Sequence, residues 1–345
     1  SLTTGDKNIV MGSSAGINIT GTSSTVLIGS SAGNAINNAD ANGTIAIGDT
    51  ALWKNTSGQR NNALGFQSLA QNTTGDDNIA IGYQSLTASA ESQAHRNIAI
   101  GNYALSTLNA RGQENIAIGF EALQTANDAD IDANIAIGNY VLDDVGGAGV
   151  WACVGLGHNA LTAVNNGGAV GSTAIGYYSL SSLTSGSGNT SVGFQALKTI
   201  SSGTFSTAVG YEALELATGN SNTGIGYYAG TALTSGFQNT MVGTYAGYSS
   251  LLPDNTVCVG YNAAGSGAMT AAADGTVAIG SSALSVLTSG AGNTAVGYQA
   301  GDALTVGGEN VILGSSALGA EIEGTSNTAI GYDALKIANA GGSNG

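Results

Sequence analysis

Apolar and polar positions alternate along this chain in a short phrase that keeps returning. A β-branched residue, a small residue, an aliphatic residue and a glycine recur nineteen times, as in Asn97-Ile98-Ala99-Ile100-Gly101 and Asn293-Thr294-Ala295-Val296-Gly297. The phrase glycines run from Gly12, Gly29 and Gly48 to Gly297, Gly314 and Gly331, 16 to 20 residues apart and mostly 17. Self-similarity at a fixed period signals one structural unit per repeat, each unable to bury its apolar face alone.

Counting from each phrase glycine, position −1 is Ile, Val, Leu or Met in all nineteen units, and −3 is Ile, Val or Thr in eighteen, Asn62 being the exception. Alternate residues of a strand share a face, so −1 and −3 are expected to form the inward, core-lining stripe. Position −2 then points outward. It is mostly Ala, with Gly155, Gly224, Ser191 and a few larger exceptions such as Met241 and Ile312. A small, uncharged outer face predicts a closely packed neighbour there. Position −4 is Asn in twelve units, and stacked Asn side chains are expected to form an amide hydrogen-bond ladder. After the glycine an aromatic stands at +1 in ten units, while +4 is Leu in thirteen and Gly in five. This stretch reads as a second short strand, with the glycine as its bend and the Leu plugging the corner. The Thr-, Ser-, Gly- and Asn-rich residues that remain in each unit read as turns.

The expected fold is therefore all-β: a parallel β-solenoid, or β-roll, of about nineteen coils of 16 to 20 residues, forming a single repeat domain over residues 1–345. Stacked at ~4.8 Å per strand, it would make a rod roughly 86 Å long. The sequence starts and stops in mid-pattern, which is expected of a segment of a longer fibre.

Composition narrows the function classes. Gly is 55 of 345 residues, but not at every third place, and charged residues are only 8%, so neither collagen nor a highly charged disordered chain fits. A net charge of −15 has the wrong sign for nucleic acid or an anionic membrane surface. The longest mostly apolar stretch, residues 148–157, is too short to span a bilayer. Neither nucleic acid nor membrane insertion is expected. Cys153 and Cys258 stand six coils apart, too far to pair, and read as small buried hydrophobes.

The core phrase resembles the head repeat of YadA-like trimeric adhesins: Asn78-Ile79-Ala80-Ile81-Gly82 and Thr276-Val277-Ala278-Ile279-Gly280 follow its pattern. The longer unit, such as residues 327–335, is similar to repeats of bacteriophage tail-fibre proteins. The resemblance covers essentially the whole chain. It implies a left-handed roll, three chains around a common axis, and attachment to a host or surface. The adhesin repeat is tighter, about fourteen residues.

Candidate chemistry is sparse. Asp128, Asp130, Asp132 and Asn134 alternate as the opening of a calcium loop does, but the Gly at its sixth place and the Glu at its twelfth are missing, so no metal or other cofactor is expected. His95 and His158 have no nucleophile context, and His158 stands at +1, where other units carry an aromatic. Trp53 and Trp151, on the loop side, are candidates for stacking on a sugar. Glu121 and Glu212 lie five coils apart, too far for a glycosidase pair, and no enzyme is expected. Thr173, Thr190, Thr207, Thr223 and Thr240 occupy −3 in five successive units, the kind of rank that templates water in ice binding. With −3 inward, that rank is expected to be buried.

The function this supports is structural: an extracellular, cell-surface or virion-surface fibre segment, homotrimeric, touching a host glycan or protein. The alternatives are a self-assembling extracellular filament and an ice-binding solenoid.

Overall fold

The computed structural model describes residues 5–87, 94–107, 112–126, 131–146, 149–165 and 168–336. The chain divides into two compact units, Ser1–Ile175 and Gly176–Gly345. Each is a parallel β-solenoid. Among the described residues the first holds ten coil strands, from Ile9–Met11 to Thr173–Ile175, and the second nine, from Thr190–Val192 to Thr328–Ile330. Register is direct: Ile98, Ala99 and Ile100 pair with Ile116, Ala117 and Ile118 in the first unit, and Thr207, Ala208 and Val209 with Thr223, Gly224 and Ile225 in the second.

The coil of Gly101 shows how neighbours are joined. Ile98 N–H donates to the Asn115 carbonyl (2.8 Å), Gly101 N–H to Ile81 (2.8 Å), Tyr103 N–H to Tyr83 (2.9 Å) and Leu105 N–H to Ala122 (2.9 Å). Hydrogen bonds therefore run to the coils on both sides, from the strand and from the residues after it. Stability in such a stack is a sum of nearest-neighbour terms.

The faces of the strand are the reverse of the sequence expectation. Position −2 is the core: Ala80, Ala99, Ala117 and Ala136 are fully buried. Ile98, Ile100, Ile116 and Ile118, at −3 and −1, point outward and are only partly covered, and Ile81 and Leu64 are exposed. The reason is volume. The opposite wall contributes buried residues at +3 and +4, such as Ala104 and Leu105, and leaves room for little more than a methyl group. A Cβ added at Gly155 would lie 2.4 Å from Val141 Cγ1, and one at Gly224 would lie 2.6 Å from Leu214 Cγ.

Larger residues enter at −2 where +4 of the preceding coil is glycine. Leu27 fills the space over Gly16 and Gly33, Met241 that over Gly230 and Gly247, and Ile312 that over Gly301; a Cβ at any of these glycines would come within 2.5 to 2.8 Å of the larger side chain. The core keeps its volume by exchanging bulk between its walls. The small −2 residues thus reflect a narrow interior, not an outer partner.

The expected second strand is replaced by turns. Residues +2 and +4 both adopt left-handed backbone, as in Tyr103 (φ 60°) and Leu105 (φ 52°), and Ala104 N–H returns to the Gly101 carbonyl at 3.3 Å. A left-handed leucine costs about 1–2 kcal/mol, offset by about 1.5–3 kcal/mol for complete burial of its side chain. The phrase glycine is required on two counts. Gly101 has φ +136°, and a Cβ there would lie 2.2 Å from the Gly119 carbonyl oxygen.

Candidate functional site

The interior polar groups are committed to the stack. Asn97 Oδ1 accepts from the Asn115 backbone N–H (3.0 Å) and Nδ2 (3.2 Å), while Asn97 Nδ2 donates to the Gly112 carbonyl (2.9 Å). The ladder expected at −4 runs through Asn61, Asn78, Asn97, Asn115 and Asn134 and ends where Cys153 N–H donates to Asn134 Oδ1 at 3.0 Å. It recurs in the second unit as Asn222–Asn239 and Asn293–Asn310.

Asn134 thus belongs to the core, buried and spent on its neighbours. Asp132 Oδ1 accepts from Gln113 N–H at 2.8 Å, while Asp128 and Asp130 lie outside the described residues. Among the described residues no group of three or more His, Cys, Asp or Glu side chains could hold a metal.

Asp132 belongs to a second ladder, at position −6, which sequence reasoning missed. There the side chain of one coil accepts the −6 backbone N–H of the coil before: Asp76 Oδ1 from Gln59 (2.7 Å), His95 Nδ1 from Asp76 (3.0 Å), Asn220 Oδ1 from Thr204 (2.9 Å) and Asp254 Oδ1 from Phe237 (2.9 Å). The legible signal is an acceptor residue six places before the glycine. Beside it, at −5, Arg60 pairs with Asp77 at 2.6 Å and Arg96 with Glu114 at 2.9 Å. The hydrogen bond from Arg60 holds the Asp77 carboxyl below its ordinary range. These exposed pairs favour register more than stability.

The remaining candidates take structural places. Cys153 and Cys258 are free and buried, and burial raises their thiols to about 11 and about 12, far from the reactive thiolate. His158 fills a ring slot, its centroid 5.8 Å from that of Tyr140. The Lys54 ammonium lies 5.6 Å from the Trp53 ring, and Trp151 is exposed. Glu121 and Glu212 belong to different units.

The outer sheet face is what each unit presents to its surroundings. In the first unit Ile79, Ile81, Ile98, Ile100, Ile116 and Ile118 stand in two parallel columns. A column of rings lies beside them, Phe66–Tyr83–Tyr103–Phe120–Tyr140, with centroids 5.3 to 6.2 Å apart. Where +1 is Asn the ring comes from +2, and the amides of Asn102 and Asn139 accept the backbone N–H of Tyr83 and Phe120. The second unit carries a similar ring column, Tyr177–Phe194–Tyr211–Tyr227, at 4.9 to 5.5 Å.

At ~4.8 Å per coil, the nine steps of the first unit and the eight of the second make each such face about 40 Å long. Thr190, Thr207, Thr223 and Thr240 lie on this outer face, stacked in direct register, and none is buried. Their expected burial is thereby corrected for the same reason as the Ile stripe: −3 faces away from the narrow core.

The fold and its surface define a β-solenoid repeat protein. The chain matches no family model, and no curated protein is significantly similar to it.

Proposed function

We propose that this chain is a structural segment of an extracellular attachment fibre, on a cell or virion surface, whose outer −3/−1 face is covered by other copies of the same chain. The observation that carries this reading is the outward −1 column, which is Ile, Val, Leu or Met in every coil of both units. Covering the part of each that is left in water would add a fraction of the about 1.5–3 kcal/mol of a full burial, and a contiguous apolar face of this kind marks an interaction site. The ring column adds a rim suited to interfaces. The similarity to YadA-like heads supports three chains around a common axis with left-handed coils, and the stacked hydrogen bonds within each unit suit a load-bearing role.

Light scattering on the intact chain tests it. Three copies of a 33.7 kDa chain correspond to about 101 kDa, and that mass is expected. A stable monomer would overturn the reading, and a mass that grows with concentration would favour a filament instead.

A second reading, ice binding, is favoured by the Thr rank, because those hydroxyls stand outward on a regular grid. It requires an uncovered face. A monomer that holds ice crystals below their melting point would establish it, and a trimer without thermal hysteresis would remove it.

A further inference from the structure

At the −6/−5 corner of the second unit, adjacent coils leave a recess of about 350 Å³ lined by Asn220, Ser221, Ser235, Phe237 and Gln238. Recesses recur at this corner between Asp132 and Trp151 (about 380 Å³) and between Ala291 and Glu309 (about 390 Å³). The first has the fullest set of recognition groups. Phe237 is 44% exposed, and Phe205, two coils before it, is 66% exposed. Neither fills the core. The −6 ladder fixes the Phe237 backbone and the Asn220 amide: Phe237 N–H donates to Asp254 Oδ1 (2.9 Å), and Asn220 Oδ1 accepts from Thr204 N–H (2.9 Å), which leaves Asn220 Nδ2 as a donor. Ser221, Ser235 and Gln238 are exposed, and no charged side chain lines the recess.

We propose that this corner binds a neutral oligosaccharide. An aromatic wall offers its face to the C–H surface of a pyranose, and placed amides and hydroxyls satisfy the ring hydroxyls, the usual division of labour in a small-ligand site. One ring packs on Phe237, with its hydroxyls shared among Asn220, Gln238 and the two serines. The assignment rests on the attachment reading for its purpose, since it names the class of receptor that a fibre would contact.

Saturation-transfer NMR on the intact chain with maltotriose, cellotriose and tri-N-acetylchitotriose tests it. Transfer to at least one trisaccharide is expected, weakened about tenfold or more by Phe237→Ala and several-fold by Gln238→Ala, with Gln84→Ala in the first unit as an unaffected control. Circular dichroism of each variant checks that the fold is intact. Absence of transfer from all three sugars, or binding unchanged in Phe237→Ala, would overturn the proposal. The mass measurement is separate: a trimer without sugar binding removes this site alone, and a sugar-binding monomer removes the assembly alone.

Discussion

The two units share an interior and differ outside. In both, −2 is mostly small, +4 is mostly Leu, with Gly in five coils and Ala264 in one, and −4 is most often Asn. The outward −3 column is mostly Ile and Val in the first unit, with Thr173 its single Thr, whereas in the second six of nine are Thr: Thr190, Thr207, Thr223, Thr240, Thr294 and Thr328. Position −1 drifts in parallel, from Ile100, Ile118 and Ile137 to Val192, Val209 and Val242. Backbone register is the same throughout, so the exterior varies without disturbing the coil. What varies is the character of the face offered to a partner: a more apolar surface on the first unit and a hydroxyl-bearing one on the second.

The contrast between inside and outside is broken most sharply at neighbouring residues. Ala117→Asp puts an unpaired charge into the closed core and is expected to cost about 4 kcal/mol or more, read as loss of cooperative melting by circular dichroism. Ile118→Asp, one residue on but facing out, is expected to change the stability of an isolated chain by less than about 1 kcal/mol while abolishing association in light scattering. Equal damage from both would reverse the assignment of the faces.

Asn97→Ala comes next. It orphans the Asn115 N–H and Nδ2 together with the Gly112 carbonyl, and a loss of about 2–4 kcal/mol in chemical denaturation is expected. A change below about 0.5 kcal/mol would mean that water replaces the ladder.

A smaller effect comes from the first unit's Asp143, whose carboxyl is raised to about 6 by partial burial and then by the neighbouring Asp144 and Glu121, with Oδ1 unpaired among the described residues. The folded value lies above the unfolded one, near 3.9. The favourable contribution of the protonated form is therefore full below about pH 4 and is lost as pH rises through about 6. Since the group is only partly buried, Asp143→Asn is expected to gain about 1 kcal/mol at most at pH 7 and nothing at pH 4, measured as paired melting temperatures. In the second unit Asp302 stands at the same +5 position and is raised for the same first cause, burial, so Asp302→Asn should change stability in the same direction.

The smallest effect on folding tests the outer faces directly. Thr207→Ile with Thr223→Ile makes the second unit resemble the first, and stability should move by no more than about 0.5 kcal/mol. Association should tighten, read as a lower concentration for the monomer-to-oligomer transition. Weaker association would show that the hydroxyls themselves make the contact.

Much of the fold was legible in the nineteen phrases. The position of each strand, the parallel register implied by equal repeats, the need for glycine at the bend and the Asn ladder all followed from residue type and spacing. The candidate site was legible only in part. Trp151 was legible as a loop-side ring able to stack on a sugar, and it is exposed, but the −6 ladder that holds Asn220 and the Phe237 backbone was missed, because its members are chemically mixed: Asp76, His95, Asn220 and Asp254 share an acceptor atom and not a residue type. The exchange of Met241 against Gly230 and Gly247 was also present in the sequence, but it carried no meaning until the two walls were known to face each other.

The sequence by itself determined a stack of short parallel coils with two unlike faces, one of Ala and one of Ile, Val and Thr. Hydrophobicity alone would put the larger residues inside. Tertiary structure decided the opposite, because left-handed turns at +2 and +4 bring the second wall close and let its Leu fill the interior from that side. What remains opposite is room for a methyl group, so alanine goes in and isoleucine goes out.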